Sequence, residues 1–364
     1  MAESNIVCPK CNGSVHKKGI KPSGKQNYRC NDCCYSTVNP LSVDGDIADG
    51  YVVKGQSTLY DKDGSVKLQW QKTDRSSELQ LKMLKATVDA MCEDLPKALP
   101  VQLKEKTNSN LLNLYVITDY HVGSMAWYRE GGHNWNLKIA EELLYKAFKS
   151  MILRSPDAET CVISQLGDFL HFDGIAAITP ASGHILDSDS RFTKIIKVAI
   201  RMLRTVIKLA LKKHKYVHIV CAEGNHDPAS SKWLSNMLSV FYEDEPRITV
   251  DESALPYYTY QHGKTMLCFH HGHKKKDSQA PLLMAAMFPK VWGATEYRYY
   301  HCGHYHHKSV KEYTGITTEQ HQTLAAKDAY SAHSGYMSER AAQSITYHKE
   351  FGDIGRVIVK PEML

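Results

Sequence analysis

Apolar segments that end abruptly in polar, reactive residues recur five times in this chain, and they constrain its fold more than any other feature. Segment 217–227 shows the pattern, because its apolar run stops at a glycine followed by an amide, an imidazole and a carboxylate. The other four segments end in the strings ITDYHVG, LGDFLH, CFHHGH and YYHCGHYHH. Ligands of α/β proteins bind at the carboxyl ends of strands, so we expect these polar ends to converge on one crevice.

The apolar periodicity after residue 110 alternates between strand and helix. Three apolar runs predict buried strands, at 111–117, 160–166 and 216–222. Three segments have helical spacing, at 136–153, 191–214 and 230–243. Four later segments predict further strands and hairpins, at 257–269, 297–302, 308–320 and 342–360. This order predicts an α/β sandwich with a mixed sheet.

The polar residues at the strand ends are carboxylates, amides and imidazoles, a set that suits Mn²⁺, Fe²⁺, Zn²⁺ or Ni²⁺. Seven good candidate ligands lie among the strand-end residues Asp119, His121, Asp168, His171, Asn225, His226, Asp227, His270, His271, His273, His301, His304, His306 and His307. One ion needs three or four protein ligands, so seven candidates imply two ions, and cysteine is missing from these positions, which argues against a purely structural zinc. Two ions about 3.5–4 Å apart suit in-line phosphoryl displacement. Asp168 is the natural bridging carboxylate, because Gly167 lets the chain turn beside it.

The ordered set D-x-H, G-D, G-N-H-D, H-G-H and G-H-x-H, spread over residues 111–310, resembles the calcineurin-like metallophosphoesterase superfamily. The resemblance implies a four-layer α/β/β/α sandwich and a metal-dependent phosphoester hydrolase. It implies a first metal site formed by Asp119, His121, Asp168 and His306. It implies a second site formed by Asp168, Asn225, His271 and His304, with Mn²⁺ as the expected ion.

Three more residues receive roles from the same resemblance. His226 is expected to bond the scissile phosphate or to protonate the leaving oxygen. His171 lies in a G-D-x-x-H string that resembles the double-strand-break repair exonucleases, so it is expected either to touch substrate or to be structural. Asp227 is expected either to orient His226 or to cap the next helix. His270 stays an alternative to His271, because adjacent strand residues face opposite sides.

Two C-x-x-C pairs occupy the first 38 residues, at Cys8, Cys11, Cys30 and Cys33. Four thiolates at this spacing predict one structural zinc ion, with Cys34 as a spare thiol that could replace Cys33. The segment resembles the N-terminal zinc ribbon of insertion-sequence transposase proteins. Its six basic and two acidic residues give it a net charge of +4, which favours DNA, although a structural or protein-docking ribbon is the alternative.

We therefore expect three regions: a zinc ribbon at 1–38, a connector at 39–108 and the metallophosphoesterase domain at 109–364. The sequence of the connector predicts a hairpin that turns at Asp63-Gly64 and a helix over 76–94. No apolar run reaches the roughly 20 residues of a membrane span, and the N-terminus has no apolar signal core. A cytoplasmic protein is expected.

Features around the metal motifs favour DNA as the substrate. The loop 171–190 directly follows a predicted site strand and could form a wall or lid, and Lys274, Lys275 and Lys276 follow a predicted ligand. The whole chain resembles predicted DNA-repair exonucleases of tailed phages, so we expect an exonuclease or endonuclease acting in the phage's host cell. A phosphatase, a cyclic or small-nucleotide phosphodiesterase and a non-catalytic DNA-binding protein are the alternatives. A homodimer, or a protein partner on the ribbon, is also compatible with the sequence.

Overall fold

The protein is described here by a computed structural model. The structure describes residues 6–11, 13–21, 26–38, 41–42, 51–60, 66–75, 82, 85, 107–180, 182–335 and 337–364. The chain forms two compact units, Met1–Ala86 and Thr87–Leu364.

The first unit contains seven short strands in its described part. They are β1 (Ile6–Val7), β2 (Val15–Ile20), β3 (Gln26–Cys30), β4 (Ser36–Thr37), β5 (Leu41–Ser42), β6 (Tyr51–Tyr60) and β7 (Val66–Arg75). Strands β2, β3 and β4 form an antiparallel sheet, while β1 pairs with β5 and β6 with β7. The predicted turn at Asp63-Gly64 lies outside the described residues, and so does the predicted helix over 76–94 apart from Lys82 and Lys85.

The second unit contains two sheets. Its strands are β8 (Asn108–Ile117), β9 (Ala158–Gln165), β10 (Tyr216–Cys221), β11 (Ile248–Val250), β12 (Tyr258–His262), β13 (Thr265–Phe269), β14 (Tyr297–Cys302), β15 (Ser309–Tyr313), β16 (Ile316–Gln320), β17 (Ala342–His348) and β18 (Gly352–Val359). The order in sheet I is β11-β10-β9-β8-β17-β18, and the order in sheet II is β12-β13-β14-β16-β15. Strands β8 to β11 are parallel to one another, and β13, β14 and β16 are also mutually parallel.

Helices cover the outer face of each sheet. They are α1 (Tyr128–Gly131), α2 (Leu137–Arg154), α3 (Phe192–Leu211), α4 (Pro228–Phe241), α5 (Ala280–Met287), α6 (Pro289–Ala294) and α7 (Ala329–His333), with short 3₁₀ turns at Asp277–Gln279 and Pro361–Met363. Helices α2, α3 and α4 pack on sheet I. Helices α5 and α6 pack on sheet II, where Met284 and Trp292 meet the buried Met266.

The inner faces of the two sheets form the main core. Leu112, Leu114 and Val116 of β8 alternate along the strand and pack against Leu267 and Phe269 of β13. The layers therefore run helices, sheet I, sheet II, helices. The four-layer α/β/β/α sandwich predicted from the sequence is confirmed.

The predicted elements of this unit match the observed ones to within three residues at most ends. Helix α2 begins where the side chain of Asn136 accepts a hydrogen bond from the amide of Ile139, which stabilises the first turn. The predicted strand segments 257–269, 308–320 and 342–360 each contain a hairpin of two antiparallel strands. Of the helices in the described part of the chain, none combines the length and apolar character needed to cross a bilayer.

Candidate metal centre

The five polar strand ends meet at one rim of the sandwich. Strands β8, β9 and β10 are parallel, so their carboxyl ends lie side by side, and those of β13 and β14 lie side by side in the facing sheet. Direct contacts join the two sheets at this rim, where the amide of His304 donates to Asp119 Oδ2 at 2.9 Å and His271 Nδ1 donates to the carbonyl of Leu166 at 2.8 Å. The convergence expected from the sequence is therefore observed.

Backbone geometry singles out the same residues. Six non-glycine residues have a positive φ in the part of the chain that the structure describes, and one of them is Cys34 in the N-terminal unit. The other five are all predicted metal ligands: Asp119 (48°), His121 (47°), Asp168 (51°), His304 (74°) and His306 (57°). This left-handed region costs L-residues about 1–2 kcal/mol and tends to occur at functional sites. It turns each of these side chains away from the path of an extended strand.

The first donor group consists of Asp119, His121 and His306, whose ligand atoms lie within 4.8 Å of one another. His306 Nε2 is 3.2 Å from Asp119 Oδ1 and 3.4 Å from His121 Nε2. Two ligands that each lie about 2.1 Å from one ion, at 90–110° to each other, are roughly 3.0–3.4 Å apart. The spacing of this group therefore fits a divalent ion.

The second donor group consists of Asp168, His271 and His304, again within 4.8 Å. His271 Nε2 is 3.1 Å from Asp168 Oδ2 and 3.0 Å from Asn225 Oδ1, so the amide of Asn225 joins the group. His271 Nδ1 donates to the carbonyl of Leu166, so Nε2 is the ring nitrogen that faces the other donors. The two groups adjoin, with His271 Nε2 4.0 Å from Asp119 Oδ1.

The structure places the imidazole of His271, and not that of His270, in a donor group. The ring of His270 is fully buried and stacks on Tyr257 at 4.5 Å, while its Nδ1 accepts from the amide of Gly272. His270 belongs to neither donor group. The ring of His273 lies 5.2 Å from that of His271, and His307 is exposed. Only His271 of the H-H-G-H string contributes a donor.

Three glycines allow the ligands to approach the neighbouring backbone. A Cβ on Gly224 would lie 1.9 Å from Asp168 Oδ1, and one on Gly303 would lie 2.3 Å from Asp119 Oδ2. A Cβ on Gly167 would lie 2.6 Å from His271 Nδ1. These distances are shorter than the 3.0 Å below which real Cβ contacts essentially never occur, so each glycine is needed for side-chain space. The tight turn expected at Gly167 is present, with φ at +98°.

The electrostatics of the cluster favour bound positive charge. Burial disfavours ionised Asp119, but the imidazoles of His306 and His271 hold the pKa of its carboxyl below its usual range. Burial likewise disfavours charged His271, yet the carboxylates of Asp168 and Asp119 raise its pKa to about 10. This direction favours a proton on His271 Nε2, next to the two buried carboxylates. A divalent cation would replace that proton, since metal ligands must be deprotonated.

His226 lies at the edge of the first group. Its Nδ1 is 2.8 Å from the carbonyl oxygen of His171 and donates to it, which leaves Nε2 free to face a substrate. The amide of His226 donates to Asp168 Oδ1 at 2.8 Å, which fixes its backbone to the cluster. The ring of His171 is buried, stacks on that of His226 at 5.7 Å, and has its Nδ1 3.2 Å from His121 Nδ1. His171 therefore contacts two predicted site residues.

Asp227 occupies the N-cap position of helix α4, where its backbone carbonyl accepts from the amide of Ser231 at 2.9 Å. Its carboxylate accepts hydrogen bonds from the amides of Gly224, Asp168 and Leu170, at 3.1, 3.1 and 2.9 Å. Its side chain makes no capping bond to helix α4 within the described structure. Burial, and then the charge of Asp168, raise its pKa to about 7. The side chain ties the loop after β9 to the loop after β10, a role that no spacing rule predicts.

Sequence reasoning also missed two threonines that hold Asp119. The hydroxyl of Thr118 donates to Asp119 Oδ2, and that of Thr323 donates to the carbonyl oxygen of Asp119 at 2.7 Å. Thr118 directly precedes the D-x-H string, so its position was a usable signal. Thr323 lies 204 residues further along the chain and could only be found in space.

A further buried group of His301, Glu319 and His321 is a hydrogen-bond network between the sheets. His301 Nδ1 is 2.9 Å from His321 Nε2, and Gln343 Nε2 is 2.6 Å from Glu319 Oε1. Arg356 Nη1 donates to the same Glu319 oxygen at 2.6 Å. Because Glu319 already accepts from two side chains, one of them cationic, this group joins β14 and β16 to β17 and β18 and is poorly suited to an ion.

The four cysteines of the N-terminal unit form a separate candidate site. The Sγ atoms of Cys8, Cys11, Cys30 and Cys33 lie within 4.8 Å of one another, with 3.7 Å between Cys8 and Cys33 and 3.4 Å between Cys11 and Cys30. Tetrahedral zinc with Zn–S bonds of about 2.3 Å places sulfurs about 3.8 Å apart. The cluster fits zinc, and Cys34 lies outside it.

No protein-family model matches the chain, and no curated protein matches it. Solved structures that match this chain include an archaeal phosphodiesterase, at 13% identity and a TM-score of 0.35, with 68% of this chain and 99% of that chain covered. A predicted phosphoesterase of Streptococcus pneumoniae TIGR4 has 10% identity and a TM-score of 0.28, covering 68% and 97%. Wild-type Vps29 of Entamoeba histolytica in complex with Zn²⁺ has 12% identity and a TM-score of 0.30, covering 69% and 99%.

Proposed function

We propose that this protein is a two-metal phosphodiesterase that hydrolyses DNA. One observation carries the proposal: donors from five strand ends form two adjoining groups, and the measured donor separations of 3.0–3.4 Å suit divalent ions. Asp119, His121 and His306 would hold the first ion, and Asn225, His271 and His304 the second, with Asp168 between them. Two divalent ions in such a site activate a water molecule and neutralise charge on a phosphoryl group.

The protein's own side chains supply orientation and a proton. With its Nδ1–H held by the carbonyl of His171, His226 in its imidazolium form would donate its Nε2–H to a phosphate oxygen or to the leaving oxygen. The stacked ring of His171 restricts the rotation of His226, and Asp227 fixes the loops that carry both Asp168 and His226. These contacts support a rigid site, in which a reacting phosphodiester is held in line.

Basic surfaces support DNA as the substrate. Lys275 and Lys276 are exposed shortly after the ligand strand end of β13, while Lys274 pairs with Glu223 at 2.9 Å. In the N-terminal unit, β2 exposes Lys17 and Lys18. Exposed lysines near a metal centre attract the phosphate backbone. We propose the ribbon as a second DNA-binding module.

Digestion of end-labelled DNA in Mn²⁺ tests this proposal. Wild-type protein should degrade the DNA, and His226→Ala should reduce the rate by about 100-fold or more, because general acid–base groups contribute at least this much. His262→Ala is the matched control, because His262 ends β12 beside the first residue of β13, at the end away from the candidate centre, and bonds the carbonyl of Asn110. DNA that stays intact with wild type in Mn²⁺, Fe²⁺, Ni²⁺ and Zn²⁺ would refute the nuclease. Turnover of p-nitrophenyl phosphate in that case would identify a phosphatase instead.

A further inference from the structure

Three exposed aromatic side chains belong to chain segments that also carry predicted metal ligands. Tyr305 is 60% exposed, and Trp127 and Tyr128 are each 51% exposed. We call these three residues the aromatic rim. Aromatic rings exposed beside a phosphate-binding site are suited to stack on the bases of a nucleic acid.

Tyr305 lies between two predicted ligands, and its outward direction follows from the backbone. His304 and His306 have φ values of 74° and 57°, and both imidazoles point into the donor groups. The intervening Tyr305 is therefore turned to solvent. Its ring centroid is still only 4.7 Å from that of His304. A nucleobase attached to a phosphate at the metal centre would be within reach of this ring.

Trp127 and Tyr128 lie six and seven residues beyond His121, Trp127 in the loop after β8 and Tyr128 at the start of helix α1. Helix α1 packs against α7, and the backbone of Gly131 lies directly against the carbonyl of Lys327. Lys327 lies four residues beyond Thr323, whose hydroxyl donates to the carbonyl oxygen of Asp119 at 2.7 Å. These contacts place helix α1 beside the chain segment that holds Asp119.

A cation accompanies this pair of rings. The guanidinium of Arg129 lies 5.4 Å from the ring of Trp127 and 5.8 Å from that of Tyr128, and its Nε donates to the Tyr128 hydroxyl at 3.1 Å. Within the described part of the chain Arg129 forms no ion pair with an acidic side chain, so its charge is open to phosphate. Exposed aromatic rings next to unpaired basic groups are the features with which proteins bind single-stranded nucleic acid.

We propose that the aromatic rim binds the unpaired bases of single-stranded DNA, with Tyr305 stacking on a base next to the scissile phosphate and Trp127 and Tyr128 on a neighbouring one. A duplex hides the faces of its bases, so it cannot use these rings unless its end is frayed. This inference rests on the proposed function for the identity of the phosphodiester. It makes a frayed end or a single strand the preferred substrate.

Fluorescence anisotropy tests the proposal with labelled oligothymidylate and an abasic oligonucleotide of equal length, bound to His226→Ala protein so that cleavage is suppressed. The abasic strand keeps the phosphates and lacks the bases, so the ratio of the two affinities reports stacking alone. Tyr305→Ala and Trp127→Ala should each lower this ratio about tenfold, a typical effect of removing one stacked base. Tyr305→Phe should retain the ratio. Tyr145→Ala, which removes a 41% exposed tyrosine from helix α2, should also retain it.

An unchanged ratio in both alanine variants would overturn the proposal, and so would a blunt duplex that competes as well as the single strand. Digestion of DNA by wild-type protein is scored separately. If wild-type protein cleaves DNA but the alanine variants leave the affinity ratio unchanged, base stacking on the aromatic rim is refuted and the nuclease proposal is supported. If the variants lower the ratio but wild-type protein does not cleave DNA, stacking is supported and the nuclease proposal is refuted.

Discussion

Replacing Gly224 by alanine should disable the metal centre while the fold survives. The new Cβ would lie 1.9 Å from Asp168 Oδ1 and 2.2 Å from the Asp168 amide nitrogen, so Asp168 must retreat by about 1.1 Å to restore a 3.0 Å contact. Gly224 does not have a positive φ, so the effect is steric. Overpacking of this kind costs about 1–3 kcal/mol of stability. A displacement of about 1 Å in a ligand costs on the order of 100-fold in rate.

Three measurements check this expectation: phosphodiester hydrolysis, metal content by mass spectrometry and the melting temperature. Gly293→Ala is the matched control, since a Cβ there meets nothing within 4 Å and helix α6 accepts alanine well. Gly224→Ala protein should lose about 100-fold in rate and part of its bound metal while still melting cooperatively. Wild-type activity and metal content in this variant would show that the loop moves freely, and the argument that Gly224 positions Asp168 would be wrong.

Three further predictions concern the rest of the molecule. Cys30→Ser should release one zinc ion per chain and leave two metal ions in the catalytic unit, as counted by mass spectrometry; unchanged zinc would reject the four-cysteine site. Burial lowers the pKa of His214 to about 4, so the unfolded chain binds its proton first and stability should fall by up to about 3 kcal/mol between pH 6.5 and 4. Urea titrations at several pH values should show this fall in the free energy of unfolding for wild type and a smaller fall for His214→Gln. An equal fall in both proteins would contradict the prediction. Arg356→Met should lower the free energy of unfolding by about 3 kcal/mol in the same assay, because the buried carboxylate of Glu319 then lacks its cationic partner. Adding Glu319→Leu should recover part of that loss.

The residues of the two donor groups could be predicted to converge, because each follows a strand of clear apolar character and the order of the strings along the chain is specific. The parallel arrangement of β8 to β10 then makes convergence a matter of topology. Strand direction alone could not decide between His270 and His271, because a shift of one residue exchanges the two faces. The structure decides it through the bond from His271 to Leu166.

Other features depend on contacts that no local pattern encodes. The three amides that bond Asp227 belong to two different loops, so the sequence could only suggest a cap or an orienting role. The exposure of Tyr305 follows from positive φ values on either side, which are set by the packing of the loop and not by residue type. Long-range partners such as Thr323 were likewise beyond reach of sequence patterns.

The left-handed backbone at five predicted ligands has a consequence for variants selected by heat. Each such residue carries a conformational cost of about 1 kcal/mol or more, which glycine would relieve. A screen for thermal tolerance in the absence of divalent ions should therefore enrich glycine at positions such as His121 and His306, and those survivors would be inert. At these positions a substitution that raises thermal stability would therefore abolish turnover. Added divalent cations would make the parent more stable than the glycine variants, because the ions bind the folded parent and not its unfolded chain.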